Sequence, residues 1–151
     1  MEARMKHPVF VVPDAMQALQ ALGKAVHKTG LSPQLIELVN LRASQINGCS
    51  VCVQMHAQSL KTAGESDERI FGVAAWRETP YFDEAERAAL ALAEAATRLC
   101  DRPDAVPDEI WDDAAKHFDE EALSGLLLAI AQINVWNRLN AATRQMAGAA
   151  W

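Results

Sequence analysis

The sequence predicts an all-α protein, a bundle of about six or seven helices. Apolar residues recur at three- and four-residue intervals along most of the 151 residues, which is the period of amphipathic helices. Helix start and stop signals separate these segments, and no stretch shows the alternation typical of a β-strand. Because half of the residues are hydrophobic, we expect a sizeable core within one domain, residues 1–151.

The first helix is predicted to begin shortly after Pro13. Its apolar residues recur at the helical period and share one face: Met16, Leu19, Leu22 or Gly23, and Val26. Gly30 is a natural end for this helix, because glycine readily adopts the conformation that follows a last helical turn.

The second and third helices are predicted to meet at a tight turn. Ser32, followed by a proline, has the features of an N-cap and opens a helix that runs to about Asn47. Gly48 can adopt the left-handed conformation that ends a helix. Cys49 then opens a third helix that continues to Gly64. One stripe of this helix is expected to face inward or towards a groove: Cys49, Cys52, His56, Ser59 and Ala63.

Capping residues and prolines divide the remainder of the chain. We predict a short helix from Ser66 that breaks at Pro80, and a helix from a capping box at Asp83 and Glu86 to about Leu99. A shorter helix follows Pro103 and Pro107 and ends at His117. The last helix begins at residue 119 or 120 and continues into the alanine-rich C-terminal end.

Charge and cysteine usage exclude several classes of function. Twenty acidic and fourteen basic residues give a net charge of −6, which repels phosphate backbones, so nucleic-acid binding is not expected. The apolar run from Val9 to Val12 is too short for a signal peptide or a membrane span, and we expect a cytoplasmic protein. In a reducing compartment, two closely spaced cysteines favour a catalytic or metal-binding role over a structural disulfide.

Four side chains that can exchange protons or electrons lie between residues 37 and 56: Glu37, Cys49, Cys52 and His56. Two thiols at CxxC spacing can close a small disulfide ring, and a histidine one helical turn later can accept a proton. A thiol reacts as its thiolate, and the amides at a helix N-terminus stabilise that anion. We therefore interpret the site as a redox dithiol.

Distance along the helix favours Cys52 as the primary nucleophile. At 1.5 Å per residue, His56 lies about 6 Å from Cys52 along the axis and about 10 Å from Cys49. Cys49, at the more accessible helix start, suits the resolving thiol. If the two helices run antiparallel from Gly48, Glu37 comes alongside His56, and a proton path from Glu37 through His56 to Cys52 is expected.

This spacing resembles a known family. The chain has Glu37, then eleven residues, then Cys49-Ser50-Val51-Cys52, then three residues and His56. This pattern matches E-x11-C-x2-C-x3-H, the motif of the AhpD-like alkylhydroperoxidases of the carboxymuconolactone decarboxylase superfamily. The later segment FGVAAWRETPYFDEAERAALALAEAAT is also similar, and the resemblance covers roughly residues 15–145. It implies an AhpD-like helical bundle, commonly a homo-oligomer (trimer or hexamer), that reduces hydroperoxides through the CxxC pair.

The resemblance also implies roles for individual residues. Cys52 takes the position of the peroxidatic cysteine and Cys49 that of the resolving one, with His56 and Glu37 as the proton relay. An external dithiol or disulfide-reductase partner would then reduce the disulfide, and no metal, flavin or nicotinamide is required. Val51 departs from the family pattern, because the best-known peroxidases of the family have a second histidine at this position. The departure bears on how effectively the relay transfers a proton.

Four other interpretations of the motif stay open. Two cysteines on one helical stripe occur as small core residues, and two thiolates, an imidazole and a carboxylate are a permissible zinc set. A decarboxylase or lactone-processing enzyme would use acid and base groups without needing a redox pair. A non-enzymatic redox sensor would use the disulfide to change how helices pack between subunits.

Several residues outside the motif are interpreted as structural. Cys100 is expected to fill space at the end of its helix. His7, His27 and His117 are interpreted as solvated or capping groups, and Trp76, Trp111 and Trp136 as core or interface anchors. The helix with the capping box is expected to expose one charged face: Glu84, Glu86, Arg87 and Glu94.

Overall fold

A computed structural model of the protein describes residues 2–100 and 102–149 and confirms the all-α class. Within these ranges the chain forms seven α-helices and two 3₁₀ helices, and no β-strand. The α-helices are α1 Ala15–Val26, α2 Pro33–Asn47, α3 Ser50–Thr62, α4 Asp67–Gly72, α5 Glu84–Thr97, α6 Asp108–His117 and α7 Glu120–Thr143. The 3₁₀ helices are Pro8–Phe10 and Val73–Glu78.

The capping signals in the sequence are used as predicted. The Ser32 hydroxyl accepts a hydrogen bond from the backbone N–H of Leu35 (3.1 Å) at the start of α2. Asp83 and Glu86 form a reciprocal capping box at the start of α5. Gly48 has φ of +66° and ends α2, which turns the chain directly into α3.

Two predicted helices end earlier than the sequence suggested. The segment after Ser66 changes from α-helix to 3₁₀ helix at Val73, and Ala75 has non-helical φ and ψ. The last helix ends at Thr143 despite the high helix propensity of the alanines that follow. Arg144 there adopts a left-handed conformation, and the N–H of Gln145 caps the helix by donating to a carbonyl of the last turn.

Helix α2 lies at the centre of the bundle and packs against α3, α5 and α7. Its residues Leu38, Val39 and Leu41 are almost completely buried. Because α2 contacts all three helices, it holds the N-terminal turn of α3 close to the C-terminal half of α7. No helix in the described part of the chain is long and apolar enough to cross a membrane.

The prediction that α5 exposes a charged face is wrong for one residue, Glu94. Glu94 is only 4% exposed. Its carboxylate accepts hydrogen bonds from Arg42 (2.7 Å), from the indole N–H of Trp76 (3.0 Å) and from Arg77. Burial by itself would raise the pKa of Glu94, but these hydrogen bonds outweigh it and hold the pKa below its usual value. Glu94 therefore joins α2 and α5 to the Val73–Glu78 segment.

Replacing Glu94 by glutamine is expected to lower the free energy of unfolding at pH 7 by about 3 kcal/mol, because the guanidinium of Arg42, whose side chain is only 12% exposed, loses its counter-charge. The pKa of Glu94 is lowered on folding, so this stabilisation is complete above the usual carboxyl pKa of 4.5 and is lost as the pH falls below it. Urea unfolding at pH 7 and at pH 3 should show a large difference from wild type only at pH 7. An equal difference at both pH values, or the same loss in Glu84→Gln on the exposed face, would contradict this role.

Candidate functional site

The two cysteines of the motif lie together at the junction of α2 and α3. Cys49 is the N-cap residue of α3, and Cys52 lies in its first turn. The backbone N–H of Cys49 donates to the carbonyl of Ser44 (3.0 Å), so the Gly48 turn fixes where the first thiol sits. Both thiols are free, and both residues are buried, at 4% and 1% exposure. The predicted inward or groove-facing stripe on this helix is confirmed for Cys49, Cys52 and His56, and it is wrong for Ala63, which is exposed just after the helix ends.

The negative charge of the pair is held on Cys49. A hydrogen bond from the Cys52 thiol lowers the pKa of Cys49 to about 6, against the opposing effect of burial, with further help from the backbone N–H of Cys52. The same hydrogen bond raises the pKa of Cys52, because Cys52 keeps the proton that stabilises its neighbour, and burial acts in the same direction. The Cys52 thiol, helped by its backbone N–H, thus activates the first thiol of the motif, whereas the sequence spacing had favoured the second.

Asn140 on α7 touches both sulfurs and was missed in the sequence. Its side-chain Nδ2 lies 3.5 Å from Sγ of Cys49 and 3.3 Å from Sγ of Cys52, and the residue is 2% exposed. Amide hydrogens directed at sulfur lower the pKa of both thiols. The available signal was a row of asparagines at three-residue spacing, Asn134, Asn137 and Asn140, within an otherwise apolar helix.

Glu37 and His56 meet across the α2–α3 turn, as the sequence predicted. Nδ1 of His56 lies 2.7 Å from Oε2 of Glu37, and the two side chains are 8% and 22% exposed. A carboxylate at this distance favours the imidazole tautomer with its proton on Nδ1. The other ring nitrogen, Nε2, is buried and makes no hydrogen bond within residues 2–100 and 102–149. The link from His56 to Cys52 stays a prediction.

An apolar cleft of about 610 Å³ opens beside Cys52 but not beside Cys49. Side chains from α1, α3 and α7 form most of its wall, among them Met16, Val51, Met55 and Trp136. The polar groups on its wall are uncharged, and Asn140 is one of them. Of the two thiols, Cys52 is therefore the one that borders this cleft, at its buried end.

The other candidates from the sequence lie elsewhere. Cys100 is exposed after the end of α5, so the expectation that it fills space there is wrong. Among the residues that the structure describes, no three side chains of His, Cys, Asp or Glu come together as a set that could hold a metal ion.

Comparisons with known proteins show which family the chain belongs to. The model of the carboxymuconolactone decarboxylase family matches residues 13–95, which include all four motif residues. The uncharacterised protein YdfG of Bacillus subtilis is 35% identical over 132 residues, 87% of this chain and 88% of that protein. The uncharacterised protein YnjA of Escherichia coli is 34% identical over 115 residues, 76% of this chain and 62% of that protein.

Two solved structures share the fold over most of the chain. A protein of unknown function from Agrobacterium tumefaciens, described as a candidate antioxidant defence protein AhpD, is 34% identical with a TM-score of 0.90, over 99% of this chain and 100% of that one. The debrominase Bmp8 is 25% identical with a TM-score of 0.79, over 90% of this chain and 73% of that one. These matches confirm the resemblance found in the sequence: the chain belongs to the carboxymuconolactone decarboxylase family and has an AhpD-like fold.

Proposed function

We propose that the protein is a thiol-dependent reductase of organic hydroperoxides that uses Cys49 and Cys52 as its redox pair. The observation that carries this proposal is the position of the pair: two free, buried thiols at the start of α3 both receive hydrogen bonds from Asn140, and of the two only Cys52 lines an apolar cleft. A decarboxylase would not need such a pair.

One reaction sequence accounts both for the negative charge on Cys49 and for the contact of Cys52 with the cleft. The Cys49 thiolate is the base nearest to the Cys52 proton, so moving this proton to Cys49 produces a Cys52 thiolate beside the cleft. That thiolate attacks the outer oxygen of the hydroperoxide and breaks the O–O bond, which gives a sulfenic acid on Cys52 and an alkoxide. Cys49, now a thiol, displaces water from the sulfenic acid and forms the disulfide. An external dithiol then reduces the disulfide.

The Glu37–His56 pair would supply the remaining proton. The alkoxide that leaves in the first step is a strong base and needs a proton as the O–O bond breaks. With both ring nitrogens protonated, His56 carries a positive charge that Glu37 stabilises from 2.7 Å at Nδ1. It would give the Nε2 proton to the alkoxide and become neutral, with Nδ1–H still directed at Glu37.

The cleft favours an apolar substrate. A space of about 610 Å³ with mostly apolar walls is far larger than hydrogen peroxide. Burying an alkyl or aryl group against these walls would stabilise the complex with the substrate. The reductant would be a dithiol or disulfide reductase of the reducing cytoplasm. Assembly into a trimer or hexamer also remains a prediction.

Mass spectrometry combined with a turnover assay tests the proposed function. One equivalent of cumene hydroperoxide should remove two hydrogens from the tryptic peptide of residues 43–61, which holds both motif cysteines and excludes Cys100. With excess dithiol, the protein should consume cumene hydroperoxide with a higher kcat/KM than hydrogen peroxide. A gain of one oxygen on Met55 without the loss of two hydrogens, or no turnover with either peroxide, would refute the proposal.

Reductive dehalogenation is a second candidate, because the Bmp8 debrominase shares the fold and this cleft has an aromatic wall at Trp136. In that reaction the dithiol would supply two electrons, the carbon–bromine bond would be replaced by carbon–hydrogen, and bromide and the disulfide would form. Release of bromide from a bromopyrrole, without turnover of hydroperoxides, would favour this candidate over the first.

A further inference from the structure

The cleft beside Cys52 runs along α3. Val51 and Cys52 border it from the first turn of that helix, Met55 from the second and Ser59 from the third. At a rise of 1.5 Å per residue, Cys52 and Ser59 lie about 10 Å apart along the helix axis. A molecule that fills the cleft with one end at Cys52 therefore has its other end near Ser59.

The walls of the cleft change in character along this length. Val51 and Trp136 pack against the buried cluster that contains Cys52, so aliphatic and aromatic side chains flank the Cys52 end. Gln58 and Ser59 border the opposite end, where Gln58 is exposed and Ser59 is half-buried. An amide and a hydroxyl both donate and accept hydrogen bonds. This end therefore suits a polar group of a ligand.

No charged side chain borders the cleft in the part of the chain that the structure describes. The ammonium group nearest to Ser59 along α3 belongs to Lys61, and it lies 2.9 Å from the carboxylate of Asp67. A ligand carboxylate at the Ser59 end would lose water without gaining a cation in return, which costs free energy.

Both ends of the cleft also repel an anion. Ser59 lies in the last turn of α3, where the helix dipole places partial negative charge. At the other end, the Cys52 thiol lowers the pKa of Cys49 to about 6, so the dithiol is negatively charged at neutral pH. An uncharged ligand avoids both repulsions, and the apolar walls still bury its hydrocarbon part.

We propose that the cleft binds an uncharged, elongated amphiphile, with a neutral hydrogen-bonding group such as an amide or ester against Gln58 and Ser59 and its hydrocarbon part extending along α3 towards Cys52. Gln58 is then a specificity-determining residue, because the charge at its position decides whether a carboxylate is accepted. The inference rests on the proposed function in taking Cys52 as the reactive end. It narrows the substrate class to hydroperoxides of esters or amides, in preference to free hydroperoxy acids.

The binding of two eight-carbon probes tests this inference without any peroxide. Octanamide and octanoate have the same chain and differ in the charge of the end group. The reduced wild-type protein is titrated with each probe by calorimetry at neutral pH. Octanamide should bind at least about tenfold more tightly, because the carboxylate of octanoate loses water and gains no counter-charge. Equal affinities, tighter binding of octanoate, or no binding of octanamide would overturn the proposal.

Gln58→Lys tests which end of the cleft receives the polar group. The added ammonium should tighten the binding of octanoate by about fivefold, the upper range for a partly exposed ion pair, and should not tighten that of octanamide. Gln20→Lys is the matched control, since it makes the same change of charge at an exposed residue of α1 that does not border the cleft. No gain for octanoate in Gln58→Lys, an equal gain for octanamide, or an equal gain in the control would contradict the proposed orientation.

The same probes separate this inference from the proposed function. A preference for octanamide in a protein that turns over no hydroperoxide would refute the proposed function and leave the inference standing. Turnover of cumene hydroperoxide by a protein that binds octanoate as tightly as octanamide would refute the inference and leave the proposed function standing.

Discussion

Cys52→Ser is expected to lower kcat/KM for cumene hydroperoxide at least about a thousandfold, because the only thiol at the cleft is removed. Cys49→Ser should behave differently. Removing Cys49 removes the base proposed above, but it also removes the hydrogen bond and the negative charge that raise the pKa of Cys52, so Cys52 can ionise to solvent and attack one peroxide molecule. The sulfenic acid then finds no second thiol, so one equivalent is consumed and steady turnover stops. Cys100→Ser is the matched control, since Cys100 is exposed and remote from the motif in sequence.

Single-turnover measurements distinguish the two motif cysteines. Stopped-flow consumption of one equivalent of peroxide should survive in Cys49→Ser and disappear in Cys52→Ser. The opposite pattern would show that the low pKa of Cys49 decides which sulfur attacks, and that access from the cleft does not. Full steady-state activity in both variants would remove the dithiol from the reaction altogether.

The sequence was sufficient where the structure depends on local signals. Ser32 marks the start of α2 and Gly48 marks its end, and both act through hydrogen bonds or backbone conformations of their immediate neighbours. With the turn fixed, the helical rise alone brings Glu37 and His56 to the same level of two antiparallel helices. Their contact could be predicted because no distant part of the chain takes part in it.

Polar residues that act over long distances in sequence were not predictable. Glu94 was assigned to an exposed face because its neighbours on α5 are charged, and its three donors come from α2 and the Val73–Glu78 segment. Asn140 is 88 residues from Cys52. A periodic pattern reports which face of a helix is apolar, but it does not report which buried polar groups meet across the bundle.

The location of the negative charge differs from the sequence expectation for a similar reason. Counting residues along α3 puts His56 nearer to Cys52, and this favoured Cys52 as the thiolate. In the folded protein the largest effect on the pKa of each thiol comes from the other thiol, and the backbone N–H of Cys52 further lowers the pKa of the first. Spacing along one helix therefore predicted which side chains lie near one another, but the direction of proton sharing depends on three-dimensional contacts.

His56→Leu is expected to lower kcat/KM for cumene hydroperoxide by about 10²–10⁴-fold, which is the usual contribution of a positioned acid or base. Glu37→Gln should give a smaller loss, because the imidazole stays in place and loses only the negative partner of Nδ1. The surface variant His117→Gln is the control.

The choice of oxidant shows whether His56 acts on the leaving group. An alkoxide needs a proton as it leaves, whereas the carboxylate released from a peracid and the iodide released from iodoacetamide are stable anions. His56→Leu should therefore slow the reaction with cumene hydroperoxide far more than the reactions with peracetic acid or iodoacetamide. All three rates are measured in single turnover on the reduced protein. Equal losses with all three reagents would contradict the proton-donor role, because they would place the effect of His56 on the thiolate, which is the only reactant that the three reactions share.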